Sequence, residues 1–242
     1  MTARRTGTAT PPFRAVVTDA DGTLTGPDRR LDVRAIAAVR KLEAREIPVV
    51  LATGNVLPIA LALHRSLGLT GPIVAENGGL VYRRADGADR VERLADRRVA
   101  LRAFRSLREA GLPVRRLFTD RWRESEVALE TTVAVGRIRR ALAAQGLEVD
   151  AIPTGYAIHL MERGTGKLPG LERALRPMGL SPGDCVVLGD GDNDAAMLRA
   201  SGFGVSFASG SPGARRAARY VARASFAEGF VEGLKASGLL AD

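Results

Sequence analysis

Residues 15–26 read AVVTDADGTLTG, an apolar run that ends in two aspartates, Asp19 and Asp21, with a single residue between them. The run predicts a buried β-strand over residues 13–19. Two ionised carboxylates this close repel each other, and Gly22 follows them, where it permits a sharp turn. The stretch therefore predicts a strand that ends where a positive charge offsets the two acids.

Helices and further strands alternate along the chain that follows this stretch. Apolar residues at helical spacing predict helices over residues 32–47, with Asp32 as the N-cap, and over residues 57–69. Continuous apolar runs predict buried strands at residues 47–55 and 72–79. Buried strands that alternate with helices form a parallel sheet covered by helices, so the predicted fold class is α/β.

The pattern changes after residue 83, where a hairpin is predicted around the turn ADGA. The next elements come in the order helix, strand, strand, helix, strand, strand, at residues 97–110, 113–119, 125–130, 133–145, 147–153 and 156–161. Strands in pairs predict an antiparallel sheet with two helices on one side, an α+β module inserted at residues 84–162. Residues 13–83 and 163–242 would then form the main domain, and residues 1–12 a flexible extension.

Composition excludes some classes of protein and leaves one open. The chain has 242 residues and no run of 18 apolar residues, and its first residues lack the apolar centre of a secretory signal. Its one cysteine, Cys185, lies in an apolar run typical of a core strand, so we expect a packed thiol and a cytoplasmic location. The net charge of +9 suits a nucleic-acid-binding protein, but the arginines are scattered among acids, as on solvated helix faces.

Three predicted strands end in polar junctions that contain glycine: TDADGT, ATGN and GDGDND. Ligands of open α/β sheets bind outside the carboxyl ends of the strands, so these junctions and Lys167, at a helix start, are expected to meet. Asp19 and Asp190 offer the hard oxygen ligands that Mg²⁺ prefers, and Asp194 can bind the metal or its water. The sequence has no cluster of cysteines and histidines of the kind that binds zinc.

Groups suited to a phosphate lie in the same junctions. Thr53 has a short hydroxyl, and Gly54 after it exposes backbone N–H groups. Lys167 supplies a compact cation at the positive end of the helix that it opens. A metal ion, one lysine and one hydroxyl together neutralise a phosphoryl group, which is where phosphoryl-transfer catalysis gets most of its effect.

Four motifs in this order resemble those of the haloacid-dehalogenase superfamily of phosphatases. DADGT at residues 19–23 fits the pattern DxDGT, Thr53 the second motif, Lys167 the third, and GDGDND at residues 189–194 the fourth. The resemblance covers nearly the whole chain from residue 13 and implies a Rossmann-like core. The αββαββ insertion is similar to the cap domain of the Cof-like subgroup.

More narrowly, three segments resemble the archaeal-type phosphoglycolate phosphatases: residues 54–79, 119–125 and 156–164. This resemblance implies a Mg²⁺-dependent hydrolysis of 2-phosphoglycolate through an aspartyl-phosphate. Asp19 would be the nucleophile and a metal ligand. Asp21 would be the general acid and base, with its backbone carbonyl as a second metal ligand.

The remaining roles are open at this point. Asn55 suits either a helix cap or a ligand contact, and His159 either a core position or a substrate contact. Arg123 lies in a loop that could reach a substrate carboxylate, and we expect it to bind substrate together with Thr53, Gly54, Asn55 and Lys167. The expected partner is a small phosphorylated metabolite, without nucleic acid or membrane, for a monomer or homodimer.

Other functions remain as alternatives. A sugar-phosphate phosphatase of the sucrose-phosphate or mannosyl-phosphoglycerate type shares the same general plan. A phosphotransferase or mutase could use the same aspartyl-phosphate. A non-enzymatic nucleic-acid-binding protein would use the net charge of +9 and would show salt-sensitive binding that does not depend on Asp19.

Overall fold

The computed structural model of the protein describes residues 13–241, so the extension predicted for residues 1–12 lies outside the described residues. The first elements are β1 (Ala15–Thr18), α1 (Val33–Glu43), β2 (Val49–Ala52), α2 (Leu57–Leu67), β3 (Ile73–Ala75), β4 (Leu80–Ala85) and β5 (Ala88–Arg93). The middle of the chain forms α3 (Arg97–Glu109), β6 (Val127–Leu129), α4 (Val135–Ala144), β7 (Val149–Pro153) and β8 (Ile158–Glu162). The last elements are α5 (Lys167–Leu175), β9 (Cys185–Leu188), α6 (Ala195–Ala200), β10 (Phe203–Ser206), α7 (Pro212–Ala217), β11 (Tyr220–Val221) and α8 (Phe226–Ala236).

The main sheet has eight strands in the order β11-β10-β9-β1-β2-β3-β4-β5. The pairs from β11 to β3 are parallel, which confirms the α/β prediction. Strand β1 is central, with Val16 in register with Val49 of β2 and Val186 of β9. Because β1, β2 and β9 are parallel neighbours, the polar residues after each of them emerge at one edge of the sheet.

Burial on both faces explains the apolar character of the central strands. Every residue of β1, β2 and β9 is buried, and two hydrophobic clusters lie on opposite sides of the sheet. The structure also confirms the helix ends predicted from the sequence at Asp32 and Gly68. Asp32 accepts a hydrogen bond from the Arg34 backbone at the start of α1, and Gly68 ends α2 in the left-handed conformation.

A separate three-stranded antiparallel sheet, in the order β6-β8-β7, carries α3 and α4 on one face. Leu107 of α3, Ile138 of α4 and Leu160 of β8 are fully buried in the cluster between them. This cluster is distinct from the two that flank the main sheet. The α+β module therefore has a hydrophobic core of its own.

The structure corrects two details of the predicted insertion. The hairpin of β4 and β5 continues the main sheet as antiparallel edge strands, so the expected boundary at residue 84 falls inside β4. The strand predicted at residues 113–119 is a single bridge between Arg116 and Leu129, followed by a 3₁₀ helix at Phe118–Trp122. Asp120 accepts the backbone N–H of Ala128 that a longer strand would have paired, so the ladder stops there.

Within residues 13–241, no helix is both long and apolar enough to cross a lipid bilayer. Cys185 opens β9 and is fully buried, and burial raises the pKa of its thiol to about 12. A thiol protonated at neutral pH is a poor nucleophile, in agreement with the packed role expected for it.

Candidate active site

Asp19 lies directly after β1, at the carboxyl edge of the main sheet. Its backbone N–H donates to the carbonyl of Leu188 on the neighbouring strand, which fixes the main chain at this point. One carboxylate oxygen, Oδ1, accepts a 2.6 Å hydrogen bond from Lys167 Nζ. Asp19 is therefore held by both the sheet and a cation, while Oδ2 makes no hydrogen bond within residues 13–241.

Lys167 is the first residue of α5 and is almost completely buried. Its ammonium donates to Asp19 Oδ1 and to Asp194 Oδ1, both at 2.6 Å, so it joins the first and fourth motifs. Gly78 packs against Gly166, the residue before Lys167. The approach is so close that a Cβ at Gly78 would lie 1.9 Å from the carbonyl oxygen of Gly166. Only glycine allows this approach, which places the helix start against the sheet.

Asp19, Asp190 and Asp194 form a compact carboxylate cluster, with one ligand oxygen from each within 4.8 Å of the others. Asp194 orients the loop, because its Oδ2 accepts the backbone N–H groups of Asp190 and Gly191. Burial, with a further contribution from Asp194, raises the pKa of Asp190 to about 7. Burial also raises the pKa of Asp19, although the charge of Lys167 opposes this shift.

The donor set of this cluster fits a divalent cation. Three carboxylates face one another with a single ammonium among them, so the cluster carries excess negative charge. Burial is the main cause of the raised pKa values of Asp19 and Asp190, and repulsion from the neighbouring carboxylates adds to it. Oxygen ligands of this kind suit Mg²⁺ rather than zinc or copper.

Asp21 lies on the other side of the Asp19 loop. Its Oδ2 accepts a 2.7 Å hydrogen bond from Asn55 Nδ2, which holds the carboxylate at the carboxyl edge of β2. Gly22 has a φ of 79°, and a Cβ there would lie 2.4 Å from Asp190 Oδ2, so a side chain would collide with the cluster. Thr23 closes the loop with a 3.3 Å hydrogen bond to Asp190 Oδ1. The two acids thus have separate partners.

Thr53 and Asn55 occupy the junction after β2. The Thr53 hydroxyl oxygen accepts from the backbone and side-chain nitrogens of Asn55, at 3.1 and 3.2 Å. Its proton remains available to a ligand. Asn55 is not a helix cap, because α2 begins after Val56 and has no side-chain cap. Its amide instead links Thr53 to Asp21.

A cleft of about 590 Å³ opens beside these residues. One wall is formed by the main-sheet junctions, including Asp19, Asp21, Gly54 and Asp190, and another by the β7–β8 turn at residues 153–156. The described lining contains four aspartates but a single cation, Arg29. A small molecule in the cleft would therefore meet the aspartates of the sheet junctions on one side and the inserted module on the other.

Comparison with known proteins identifies the family. The profile of haloacid dehalogenase-like hydrolases matches residues 16–123 and 148–234, which is most of the chain and includes all four motifs. The chain belongs to the haloacid dehalogenase-like hydrolases. It is 36% identical over 232 residues to a phosphoglycolate phosphatase of Methanococcoides burtonii, covering 94% of this chain and 99% of the relative.

A second curated relative and one solved structure extend the comparison. The phosphoglycolate phosphatase of Methanothermobacter thermautotrophicus is 37% identical over 224 residues, covering 92% of this chain and 98% of the relative. A crystal structure of a Thermoplasma acidophilum protein superposes with a TM-score of 0.84 at 25% identity, covering 94% of this chain and 99% of the other. The similarity therefore spans the main sheet and the insertion alike.

This haloacid dehalogenase-like hydrolase also has a buried polar network that sequence patterns did not reveal. Glu126, before β6, accepts hydrogen bonds from His159 Nδ1 at 2.8 Å and Asn77 Nδ2 at 3.2 Å, and it pairs with Arg123. Asn77 in turn accepts from Asn193 Nδ2 at 3.0 Å. The network thus connects the inserted module to the loop of the fourth motif.

The charges of this network are compensated internally. Burial raises the pKa of Glu126, but His159 and Arg123 outweigh that effect, so the pKa is lowered overall. Arg123 Nη1 also donates to the carbonyl oxygen of Gly54 at 3.0 Å. Arg123 is not among the residues that line the cleft, so its substrate contact stays a prediction, while its visible role is to join the insertion to the second motif.

Two of the missed residues left a weak signal in the sequence. Glu126 is an acid directly before the apolar run VAL at residues 127–129, where burial requires a partner. Tyr156 lies two residues before β8, in a segment quoted above for its resemblance, but nothing local shows that it reaches the cleft. Asp192, by contrast, accepts from Ser211 and Gly213 at the start of α7 and is a structural residue.

Proposed function

We propose that this protein is a Mg²⁺-dependent phosphatase that hydrolyses 2-phosphoglycolate to glycolate and phosphate. The observation that carries the proposal is the meeting of Asp19, Asp21 and Asp190 at one cleft, with Lys167 bonded to Asp19. The curated relatives with this plan are phosphoglycolate phosphatases at 36–37% identity.

The nucleophilic step belongs to Asp19. Lys167 binds its Oδ1, which leaves Oδ2 to attack the phosphorus, forming an oxygen–phosphorus bond as the bond to the glycolate oxygen breaks. Asp21, held by Asn55, donates a proton to the departing oxygen. It then removes a proton from the water that hydrolyses the aspartyl-phosphate, which restores both acids.

Electrostatic stabilisation comes from several groups around the phosphoryl oxygens. Lys167 and the free proton of the Thr53 hydroxyl would contact these oxygens, and Gly54 would offer its backbone N–H. Asp19, Asp190, Asp194 and the backbone carbonyl of Asp21 would hold Mg²⁺, either directly or through water. Bound there, the ion would offset the charge of the carboxylates and the phosphate.

We also propose that the insertion acts as a cap domain. The sequence-based division assigns residues 84–162 to the cap and residues 13–83 and 163–242 to the core. The position of β5 in the main sheet supports a start closer to α3. The β7–β8 turn lies against the cleft, where it would limit the access of water during the reaction. A cytoplasmic monomer or homodimer remains our expectation.

A phosphate-release assay with and without Mg²⁺ tests the proposal. 2-Phosphoglycolate is compared with hexose phosphates and other small phosphorylated acids. We expect the highest kcat/KM for 2-phosphoglycolate, and no turnover by Asp19→Asn, whose amide is nearly isosteric but a poor nucleophile. Equal turnover of hexose phosphates would favour the sugar-phosphate alternative, and an active Asp19→Asn variant would refute the nucleophile assignment.

The nucleic-acid alternative has a separate test. Binding of a duplex oligonucleotide is titrated at two salt concentrations with the wild type and Asp19→Asn. The phosphatase proposal expects no binding at physiological salt. Tight, salt-sensitive binding that is unchanged in Asp19→Asn would support the alternative.

A further inference from the structure

Tyr156 carries an unexplained polar group in the wall of the cleft. Its side chain lines the cleft from the β7–β8 turn, and its hydroxyl is buried. Within residues 13–241 that hydroxyl has no hydrogen-bond partner. A buried hydroxyl without a partner is costly, and such a group in a cleft wall is accounted for if a ligand completes its hydrogen bond.

Arg29 reaches the same place from the main domain. It lies in the turn between Asp21 and α1, with a φ of 64°, in the left-handed region that favours glycine. Its guanidinium carbon lies 4.9 Å from the centre of the Tyr156 ring. Arg29 makes no ion pair with the described residues and is the one cation of the described cleft lining. A guanidinium without an ion pair, over the ring that carries the unpartnered hydroxyl, suits a carboxylate.

The electrostatic surroundings keep Tyr156 in its donor form. Burial raises the pKa of its phenol, Arg123 opposes the shift, and the charges of Asp21 and Glu126 add to it. Arg123 opposes the shift from close by, partly through hydrogen bonding to the phenol, but no hydrogen bond of ordinary geometry joins the two side chains. Because Asp21 also affects it, Tyr156 is near the acid that would protonate the leaving group.

We propose that Tyr156 and Arg29 bind the carboxylate of the substrate's leaving group and thereby select phosphorylated acids over neutral phosphate esters. The inference rests on the proposed phosphatase function. It assigns recognition to one residue of the insertion and one of the main domain, so the carboxylate bridges the two and favours their contact. Arg123 is paired with Glu126 and does not line the cleft, so it does not itself provide the contact.

The test compares two substrates of nearly equal size, 2-phosphoglycolate and 2-hydroxyethyl phosphate, which lacks the carboxylate. The readout is the ratio of their kcat/KM values. We expect the wild type to favour 2-phosphoglycolate. Tyr156→Phe and Arg29→Gln should each lower the ratio roughly ten- to hundredfold, mainly through a higher KM for 2-phosphoglycolate, because each removes one hydrogen bond to a charged group.

Matched controls lie close at hand. Arg30→Gln removes the neighbouring arginine, which is exposed, pairs with Asp28 and does not line the cleft. Tyr220→Phe removes a hydroxyl that bonds Glu232 of α8, away from the cleft. Both controls should keep the wild-type ratio. The two test variants lie on different elements, so loss of folding in one still leaves the other as a test.

The outcomes separate this inference from the function on which it rests. If the wild type favours 2-phosphoglycolate but Tyr156→Phe and Arg29→Gln keep its ratio, the carboxylate contact is refuted and the phosphatase proposal stands. If the wild type does not distinguish the two substrates, the proposed substrate is wrong and this inference fails with it. If the ratio falls equally in Arg30→Gln, the loss of any nearby positive charge would explain the effect, and the inference would again be overturned.

Discussion

Gly78 gives the most direct test of how the fold positions Lys167. Its φ is 98°, and a Cβ at this position would lie 1.9 Å from the Gly166 carbonyl oxygen and 2.4 Å from the Gly166 carbonyl carbon. Backbone atoms cannot rotate away, so Gly78→Ala must displace the start of α5 by about 1 Å to restore ordinary contacts. Lys167 is the next residue and would move with it.

Two costs add in this variant. A left-handed conformation costs an alanine about 1–2 kcal/mol, and overpacking costs about 1–3 kcal/mol more. For a chain of this length, the total corresponds to a fall in Tm of about 4–20 °C. Displacing Lys167 by about 1 Å should lower kcat by about 100-fold. Its hydrogen bonds to Asp19 and Asp194 are short, and a shift of this size would break their geometry.

Gly87→Ala is the matched control. Gly87 also has a positive φ, 75°, but a Cβ there would meet nothing within 4 Å. We expect Gly87→Ala to show only the cost of the left-handed conformation, with a fall in Tm of about 2–8 °C and an unchanged kcat. Thermal unfolding by circular dichroism and steady-state kinetics measure both effects. Equal Tm values for the two variants, or a normal kcat for Gly78→Ala, would refute the steric argument.

Three further predictions concern charge. The pKa of Glu126 is lowered because His159 and Arg123 outweigh the effect of its burial. Its ionised form therefore stabilises the fold at pH values above the unfolded pKa of about 4.5. This stabilisation is lost as the pH falls through the folded pKa. Glu126→Gln should therefore lower the free energy of unfolding by about 3–5 kcal/mol at pH 7, with a smaller difference from wild type at pH 3 in urea titrations. Lys167→Met should lower kcat by about 10²- to 10³-fold, and a loss below tenfold would contradict its role. Mg²⁺ at a hundred times its Kd should stabilise the wild type by about 2.7 kcal/mol, seen as a rise in Tm by calorimetry, whereas a similar rise in Asp190→Asn would argue against the proposed metal site.

Local pattern was sufficient for much of the fold. The apolar runs around Val16, Val50 and Val187 predict buried strands because a strand covered on both faces must be apolar throughout. Asp32 and Gly68 mark helix ends for reasons that lie within a few residues of each. The same logic fails at residues 113–119, where the side chain of Asp120, the residue after the predicted strand, takes the N–H group of Ala128 that a longer ladder would need.

The candidate site divides in the same way. The sequence indicates Asp19, Thr53 and Asp190 because each follows a buried strand, and parallel neighbours bring their ends together. Gly22 and Gly54 are recognisable as residues of tight junctions. Asn55, by contrast, could be read as a cap or a ligand, and only its 2.7 Å contact with Asp21 shows what it holds.

The sequence by itself determined which acids follow which strands, and that a lysine begins a helix near them. The tertiary structure alone decided what surrounds that chemistry. Glu126, His159 and Asn77 are far apart in the chain, and Tyr156 meets Arg29 across 127 residues. The physical reason is range: strand and helix signals arise from neighbours along the chain, whereas the partner of a buried charge or the wall of a cleft depends on how an inserted module packs against the sheet.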